Sequence, residues 1–287
     1  MTGARNHLRA GLVAALCLLL GTGCLGSRSA LKAQAAPLET GLGVFFLQCP
    51  SQKEGAAAML QTAIENATPR LTQWGRLTQP VTVRLQPDHG ALERVTGRSG
   101  YEWLRAWARY DLLDVQSPDT WHPLKASQRD LDELLLHELT HTVMFQLAAT
   151  SSDWTQKKIP AWFREGMASY TAEQAYRWPT LEQLARTLED NPGWEPLLQP
   201  EELFEQQMQV AYGAAHHAFV FLMNRYGQDT VKRLIHTMSQ GPDFQAAFAT
   251  TVGLPAEAFL RDFTRYVRLR GFKGGRLLQS PTALQAP

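Results

Sequence analysis

Cysteine is scarce in this chain, which has only Cys17, Cys24 and Cys49 among 287 residues. Small secreted domains that lack a large core depend on paired cysteines, and three cysteines do not make such a framework. Cys49 is expected to be a small, buried apolar residue. The fold must therefore be stabilised by a hydrophobic core, for which a chain of this length suffices.

Excess charge of either sign is also lacking. Lysine and arginine total 28 and aspartate and glutamate 27, which gives a net charge of +1. Phosphate binding needs a basic face, so nucleic acid is not an expected partner. Hydrophobic residues make up 44% and charged residues 19%, a composition typical of globular proteins. No short-period repeat is present, and we expect a monomer.

The amino terminus has the order of an export signal. Arg5 and Arg9 precede the apolar run "AGLVAALCLLL", and the small residues "GTGCLGS" follow. We therefore predict a signal peptide over residues 1–23. A retained membrane anchor is the alternative, but a spanning helix needs about 20 mostly apolar residues, and glycine, serine and threonine dilute this run.

Cys24 is a candidate site for a lipid anchor. The stretch "GTGC" resembles the lipobox of bacterial lipoproteins, although Gly21 stands where leucine is usual. Cleavage after "AQA" (33–35) is the alternative. Either case predicts an exported protein, attached to the bacterial cell envelope or secreted. Residues 24–40 are small and polar and predict a tether, and residues 271–287 predict a flexible tail.

Hydrophobic patterning predicts an α+β fold over residues 41–270. Residues 41–126 are predicted to form a small mixed α/β lobe, with strands over 41–49 and 80–87, another at the end of 107–118, and a helix over 53–74. A mainly helical lobe then covers residues 127–270. Its helices are predicted over 127–149, from Pro160 as a first-turn residue, and over 179–190, 200–226, 228–240 and 255–270.

The stretch "HELTH", from His137 to His141, has the spacing of a zinc site on a helix. Four residues turn a helix by about 400°, so both imidazoles point the same way and can bind one zinc ion. Glu138 lies beside that face and can reach a water on the metal. The alternative is an ordinary helix with two solvated or capped histidines.

The flanks of this stretch favour a buried helix. Apolar residues cover most of its circumference: Leu131, Leu134, Leu135, Leu136, Leu139, Val143 and Leu147. Buried histidine and glutamate side chains need partners. A metal ion would supply one.

The stretch "IPAWFREGMASY" offers a third ligand, Glu165, which follows His141 by 24 residues. A catalytic zinc site needs three protein ligands and an open position. A surface charge is the ordinary role of a glutamate, but the apolar neighbours of Glu165 predict an inward-packed helix. Gly166 is expected to let this second helix approach the HELTH helix.

The combination of HELTH with W-F-R-E-G-M-A-S-Y resembles the gluzincin metallopeptidases, the thermolysin-like or peptidase MA-like group. The resemblance implies a zincin-like fold, with a sheet bordering the cleft and a helical lobe that carries the zinc helix. It also implies one Zn²⁺ ion, held by His137, His141 and Glu165, and Glu138 as the general base. Ser169 stands where thermolysin has an acidic residue, which implies a different support for the ligands.

Two looser similarities extend the resemblance. The stretch "DLLDVQSP" (111–118) resembles the strand that borders the cleft. The stretch "AYGAAHHAFVFLMNRYG" (211–227) resembles the downstream helix whose tyrosine steadies the transition state, here Tyr212. A packing role for Tyr212 is the alternative, and His216 and His217 are rival donors.

The resulting prediction is an exported zinc metallopeptidase that acts on peptide or protein substrates through a zinc-activated water. One alternative is a non-catalytic envelope lipoprotein, a binding or assembly protein that kept the zinc fold. Another is a zinc amide hydrolase that acts on cell-wall peptides. The intact Glu138 favours an enzyme. No motif for capture of an amine terminus is evident, so an aminopeptidase is not supported.

Overall fold

The computed structural model describes residues 31–33, 36–121, 123–198 and 208–269. The predicted signal peptide (1–23) and tail (271–287) lie outside these residues. In the described part, no helix combines the length and the apolar character that a membrane crossing requires.

The first half of the chain forms a mixed sheet. Its strands are β1 (Leu31–Ala33), β2 (Leu38–Glu39), β3 (Val44–Pro50), β4 (Val81–Gln86), β5 (Ala106–Ala108) and β6 (Leu112–Gln116). The order is β1-β3-β4-β6-β5, and β2 also pairs with β3. The central strands β3, β4 and β6 are parallel, whereas β1, β2 and β5 pair antiparallel with their neighbours. Helix α1 (Glu54–Leu71) connects β3 to β4, as a parallel pair requires.

Part of the segment predicted as a tether belongs to this sheet. Strands β1 and β2 fall within residues 24–40, and both pair with β3. Helix α2 (His89–Thr96) and strand β5 were not predicted. β5 has three residues, too few to show an alternating pattern.

The second half of the described chain is helical. It contains α3 (Gln128–Ala148), α4 (Ala161–Thr171), α5 (Leu181–Asp190), α6 (Met208–Tyr226), α7 (Gln228–Ser239), α8 (Phe244–Val252) and α9 (Ala256–Arg268). Ser127 and Asp130 form the predicted capping box at the start of α3. Pro160 precedes α4 as its N-cap, not as a first-turn residue. The α+β fold class is thus confirmed.

Helix α4 lies against α6, and Gly166 allows this contact. A Cβ atom at Gly166 would lie 2.5 Å from the Ala215 carbonyl oxygen and 2.7 Å from the Phe219 Cβ, both on α6. The expectation that Gly166 admits α4 to the HELTH helix is therefore wrong. The nearest neighbours of the glycine all lie on the later helix.

Candidate metal centre and active site

Three predicted ligands converge between α3 and α4. His137 and His141 lie one turn apart on α3, and Glu165 reaches them from α4. The Glu165 Oε2 atom is 3.4 Å from His137 Nε2 and 3.6 Å from His141 Nε2. One donor atom from each residue lies within 4.8 Å of the others. A set of two imidazoles and one carboxylate fits the three protein ligands of a catalytic zinc site.

The two histidines are supported differently. His137 Nδ1 lies 2.9 Å from the Gln174 Oε1 atom, so this nitrogen donates and Nε2 faces the other ligands. His141 Nδ1 is buried and has no hydrogen-bond partner in the described residues. Its ring stacks on Phe145 with centroids 6.2 Å apart. Hydrogen bonding thus orients one ring, whereas packing orients the other.

The electrostatics of this centre favour a cation among the three groups. Burial alone would raise the pKa of Glu165, but His141 and His137 outweigh it and hold that pKa well below its usual range. Burial alone would lower the pKa of His137, but the hydrogen bond and charge of Glu165 raise it. A bound metal ion would take over the role of the positive partner.

Glu138 lies beside the ligand set, between α3 and strand β5. Burial raises the pKa of its carboxyl group, and the charges of His137 and His141 and a hydrogen bond from the backbone of Ala108 partly offset that effect. Hence β5 borders the cleft. The proposed correspondence of residues 111–118 to the cleft strand is wrong, because β6 (Leu112–Gln116) lies inside the sheet between β4 and β5.

Tyr212 enters the same cleft from α6. Its ring stacks on Trp178 at 5.2 Å with an interplanar angle of 22°. Burial raises the pKa of Tyr212 well above its usual value, and the charges of Glu165 and Glu138 add to the shift. The hydroxyl therefore keeps its proton and can donate a hydrogen bond.

His216 does not share that position. Its Nδ1 atom lies 2.9 Å from the Ser169 hydroxyl, which in turn accepts from Trp178 Nε1 at 2.8 Å. His216 is buried behind the cleft, and His217 is 2.8 Å from the Pro179 carbonyl oxygen through Nε2. Ser169 thus supports the Trp178 platform on which Tyr212 stacks and contacts neither ligand histidine.

The cleft measures about 640 Å³ and runs along α3. Its residues on α3 extend from Asp130 to Phe145, and 15 residues of helix span about 22 Å. Five of the eight tryptophans line it: Trp103, Trp107, Trp121, Trp154 and Trp178. Such walls suit apolar and aromatic groups, which the polar and charged residues of the same cleft can orient.

Sequence reasoning did not identify Gln174 as a support for the centre. Gln174 lies in a short 3₁₀ turn after α4, nine residues beyond Glu165. No sequence motif marks a glutamine as the hydrogen-bond partner of a metal ligand. The position of Gln174, about one turn after the helix that carries the third ligand, indicates such a role only weakly.

Comparisons with known proteins agree with this geometry. A family profile described as the peptidase MA superfamily matches residues 131–268, a little under half of the chain. That segment contains all three candidate ligands together with Glu138 and Tyr212. No curated protein matches the chain.

Several solved structures are similar at low identity. One is a two-domain M1 zinc metallopeptidase bound to L-arginine, with 18% identity, a TM-score of 0.41, and coverage of 88% of this chain and 53% of that one. Another is an aminopeptidase N family protein from Idiomarina loihiensis, with 15% identity, a TM-score of 0.43, and coverage of 81% and 46%.

A third structure is an M1 zinc metallopeptidase from Deinococcus radiodurans bound to a Tyr-Ser-Ala substrate. It has 16% identity, a TM-score of 0.41, and coverage of 86% of this chain and 54% of that one. The chain spans about half the length of these three structures. The profile match makes residues 131–268, which contain the whole ligand set, similar to the peptidase MA superfamily.

Proposed function

We propose that the protein is a zinc-dependent metallopeptidase that hydrolyses peptide bonds in the cleft beside α3. The observation that carries this proposal is the convergence of His137, His141 and Glu165 next to Glu138. The three ligands would hold one Zn²⁺ ion. When bound, zinc polarises a carbonyl group and makes a water molecule more acidic.

Glu138 would act as the general base. Its carboxylate takes a proton from the attacking water and returns it to the nitrogen of the leaving amine. Its place one residue after His137 puts it beside the ligand face and leaves the three ligands undisturbed. The neighbouring backbone of Ala108 orients it from the opposite wall.

The free edge of β5 would align an extended peptide. Within the β5–β6 pair, Arg109 N–H donates to the Leu112 carbonyl and Gln116 N–H donates to the Arg105 carbonyl. Antiparallel pairing alternates, so the backbone groups of Ala106 and Ala108 point away from β6 and toward the cleft. A substrate strand can add to this edge through main-chain hydrogen bonds.

Tyr212 would donate a hydrogen bond to the developing oxyanion. Its hydroxyl stays protonated beside two carboxylates, and its ring is fixed by Trp178. This position favours Tyr212 over His216, whose Nδ1 is engaged by Ser169 away from the cleft. Donors aimed at developing charge are a large source of rate acceleration.

The test compares the wild type with Glu138→Gln in cleavage of an unbiased peptide library, with zinc content measured in parallel. We expect the variant to keep its zinc and to lose about 10²–10⁴-fold in rate. Cleavage by Glu138→Gln at the wild-type rate would contradict the role of Glu138. A wild-type protein that binds zinc but cleaves no peptide would contradict the peptidase function.

We further propose that the protein is exported and lipidated at Cys24. This proposal rests on the sequence of residues 1–24 alone. Metabolic labelling with a palmitate analogue should mark the wild type and not Cys24→Ser. A mature chain that begins after residue 35 would instead indicate a secreted, unanchored enzyme.

A further inference from the structure

A second pocket of about 420 Å³ adjoins the cleft at its Phe145 end. The two cavities share three lining residues, which are Phe145, Trp154 and Arg164. The remaining walls of the second pocket come from residues 155 and 158–161, between the aromatic contact of Phe145 with Trp154 and the start of α4. The pocket therefore adjoins the candidate active site.

Arg164 is the polar group shared by both cavities, and none of the described residues is a partner for its Nε atom. In the described part of the chain its guanidinium makes no hydrogen bond or ion pair, and its Nε atom is buried. The other two arginines of the cleft are satisfied. Arg177 contacts Glu133 at 2.6 Å, and Arg105 donates to the Glu102 carbonyl at 2.6 Å. A buried guanidinium nitrogen without an acceptor is costly, so an acceptor is expected from a ligand.

A second cation, Lys158, lines the adjoining pocket. It is exposed and forms no ion pair within the described ranges. The acidic residues near it in sequence are engaged elsewhere: Asp153 lies 3.1 Å from Lys157, and Glu165 faces the two histidines. The pocket thus presents two cations to a ligand and no free acid of its own in the described residues.

The position of Arg164 relates this pocket to the bond that would be cut. Phe145 is one helical turn beyond His141 on α3, and four residues rise by about 6 Å. One extended residue of a substrate spans about 3.3–3.6 Å. A group held at this end of the cleft is therefore about one or two residues from the scissile bond.

We propose that Arg164, assisted by Lys158, binds a carboxylate of the substrate next to the scissile bond. The proposal rests on the peptidase function proposed above. Carboxylates are the anionic groups of an unmodified peptide, and a guanidinium can bind one through two parallel hydrogen bonds. The carboxylate has two sources, the carboxyl terminus of the peptide or the side chain of an aspartate or glutamate.

Two matched peptide pools distinguish these sources. One pool of randomised hexapeptides is prepared with free and with amidated carboxyl termini, and the other carries internal glutamate or glutamine. For the wild type, we expect kcat/KM to fall about 10- to 100-fold when the preferred carboxylate is replaced by an amide. A lower kcat/KM for peptides with an amidated terminus indicates a carboxypeptidase-like preference. A lower kcat/KM for peptides with internal glutamine in place of glutamate indicates a subsite for an acidic side chain.

Variants at position 164 test whether Arg164 causes the preference for acid over amide peptides. Arg164→Gln should bring the acid-to-amide ratio close to one while zinc content stays that of the wild type. Arg164→Lys should keep part of the ratio, because a lysine supplies charge without the bidentate geometry. Arg186→Gln on α5 is the control, because Arg186 is exposed and pairs only with Glu182 at 3.3 Å in the described structure.

A binding measurement separates this proposal from the peptidase function. The acid and amide pools are bound to zinc-loaded Glu138→Gln protein and quantified by mass spectrometry, so turnover is not required. Preferential retention of acid peptides that disappears in Glu138→Gln with Arg164→Gln supports the subsite, even if the wild type cleaves nothing. Equal retention of acid and amide peptides, or a preference that survives Arg164→Gln, overturns it.

Discussion

The two sides of helix α4 have different functions, since one carries the third ligand and the other packs on α6. One face carries Glu165 and Arg164 into a cleft that reaches solvent. The side turned toward α6, here called the back face, presents Gly166 and the buried Ser169, without room for a methyl group at the glycine. The third ligand is therefore positioned in part by packing outside the cleft. Glu165 reaches the histidines because α4 packs closely against α6 at Gly166.

The largest expected effect comes from removing the ligand on the front face. Glu165→Ala should lose stoichiometric zinc, because two histidines alone leave the site with one protein ligand too few. Metal analysis after dialysis measures this. Glu182→Ala, which changes an exposed glutamate of α5, is the control and should keep the zinc content of the wild type. Full zinc occupancy in Glu165→Ala would contradict the assignment of Glu165 as a zinc ligand.

A smaller effect is expected at the support of His137. Gln174→Ala should weaken zinc affinity about 10- to 100-fold, because the hydrogen bond that orients the ring is lost. Competition with a zinc chelator measures the affinity. Ser169→Ala is the matched control on the back face, since Ser169 contacts His216 and Trp178 but no ligand. Equal affinities in the two variants would contradict a role of Gln174 in the centre.

A substitution on the back face should change the free energy of unfolding. Gly166→Ala should lower the free energy of unfolding by about 1–3 kcal/mol, because the added methyl group meets the Ala215 carbonyl at 2.5 Å. Gly55→Ala in α1 is the control. A Cβ there meets nothing within 4 Å, so the variant should be neutral or slightly more stable. Denaturant unfolding measures both, and a stable Gly166→Ala protein would show that the helices are not tightly apposed.

The smallest effect is a pH dependence from His216, behind α4. Burial lowers the pKa of His216 to about 4, and His217 adds to the shift. An unfolded histidine has a pKa of about 6.5, so the unfolded state takes up a proton first as the pH falls. The contribution of His216 is therefore complete above pH 6.5 and is lost as the pH falls from there toward 4, by about 1–2 kcal/mol at pH 5.

Thermal unfolding between pH 7 and pH 4 tests this effect. His216→Gln removes the titrating group and should lose less stability over that range than the wild type. Parallel pH profiles for the two proteins would show that His216 does not titrate with a lowered pKa. Groups that do not interact with His216 contribute equally to both profiles, so the difference reports the titration of His216 together with its coupling to His217.

The sequence predicted the parts of the site that depend on local periodicity. The fold of α3 follows from its capping box and apolar pattern, and its spacing places His137 and His141 together. Its spacing from His141 and its apolar neighbours made Glu165 the candidate third ligand, and the family resemblance implied the same role. In contrast, the partner of Gly166 and the contact of Gln174 with His137 depend on tertiary packing, which no local pattern encodes.

Short elements were missed for a different reason. β5 was not predicted, although its free edge forms the wall opposite Glu138. Three residues are too few to show the alternation of apolar and polar side chains that predicts a strand. Helix α8 has nine residues, and its N-cap Asp243, which accepts from Ala246 N–H at 3.0 Å, was an available signal that the prediction did not use.

A crystal structure of the zinc-loaded protein, with anomalous data collected at the zinc edge, tests the central claim most directly. The account predicts one strong peak per chain, in contact with Nε2 of His137, Nε2 of His141 and the carboxylate of Glu165. The peak should be absent from crystals of Glu165→Ala. Zinc bound at another set of residues, or no zinc between α3 and α4, would contradict the account.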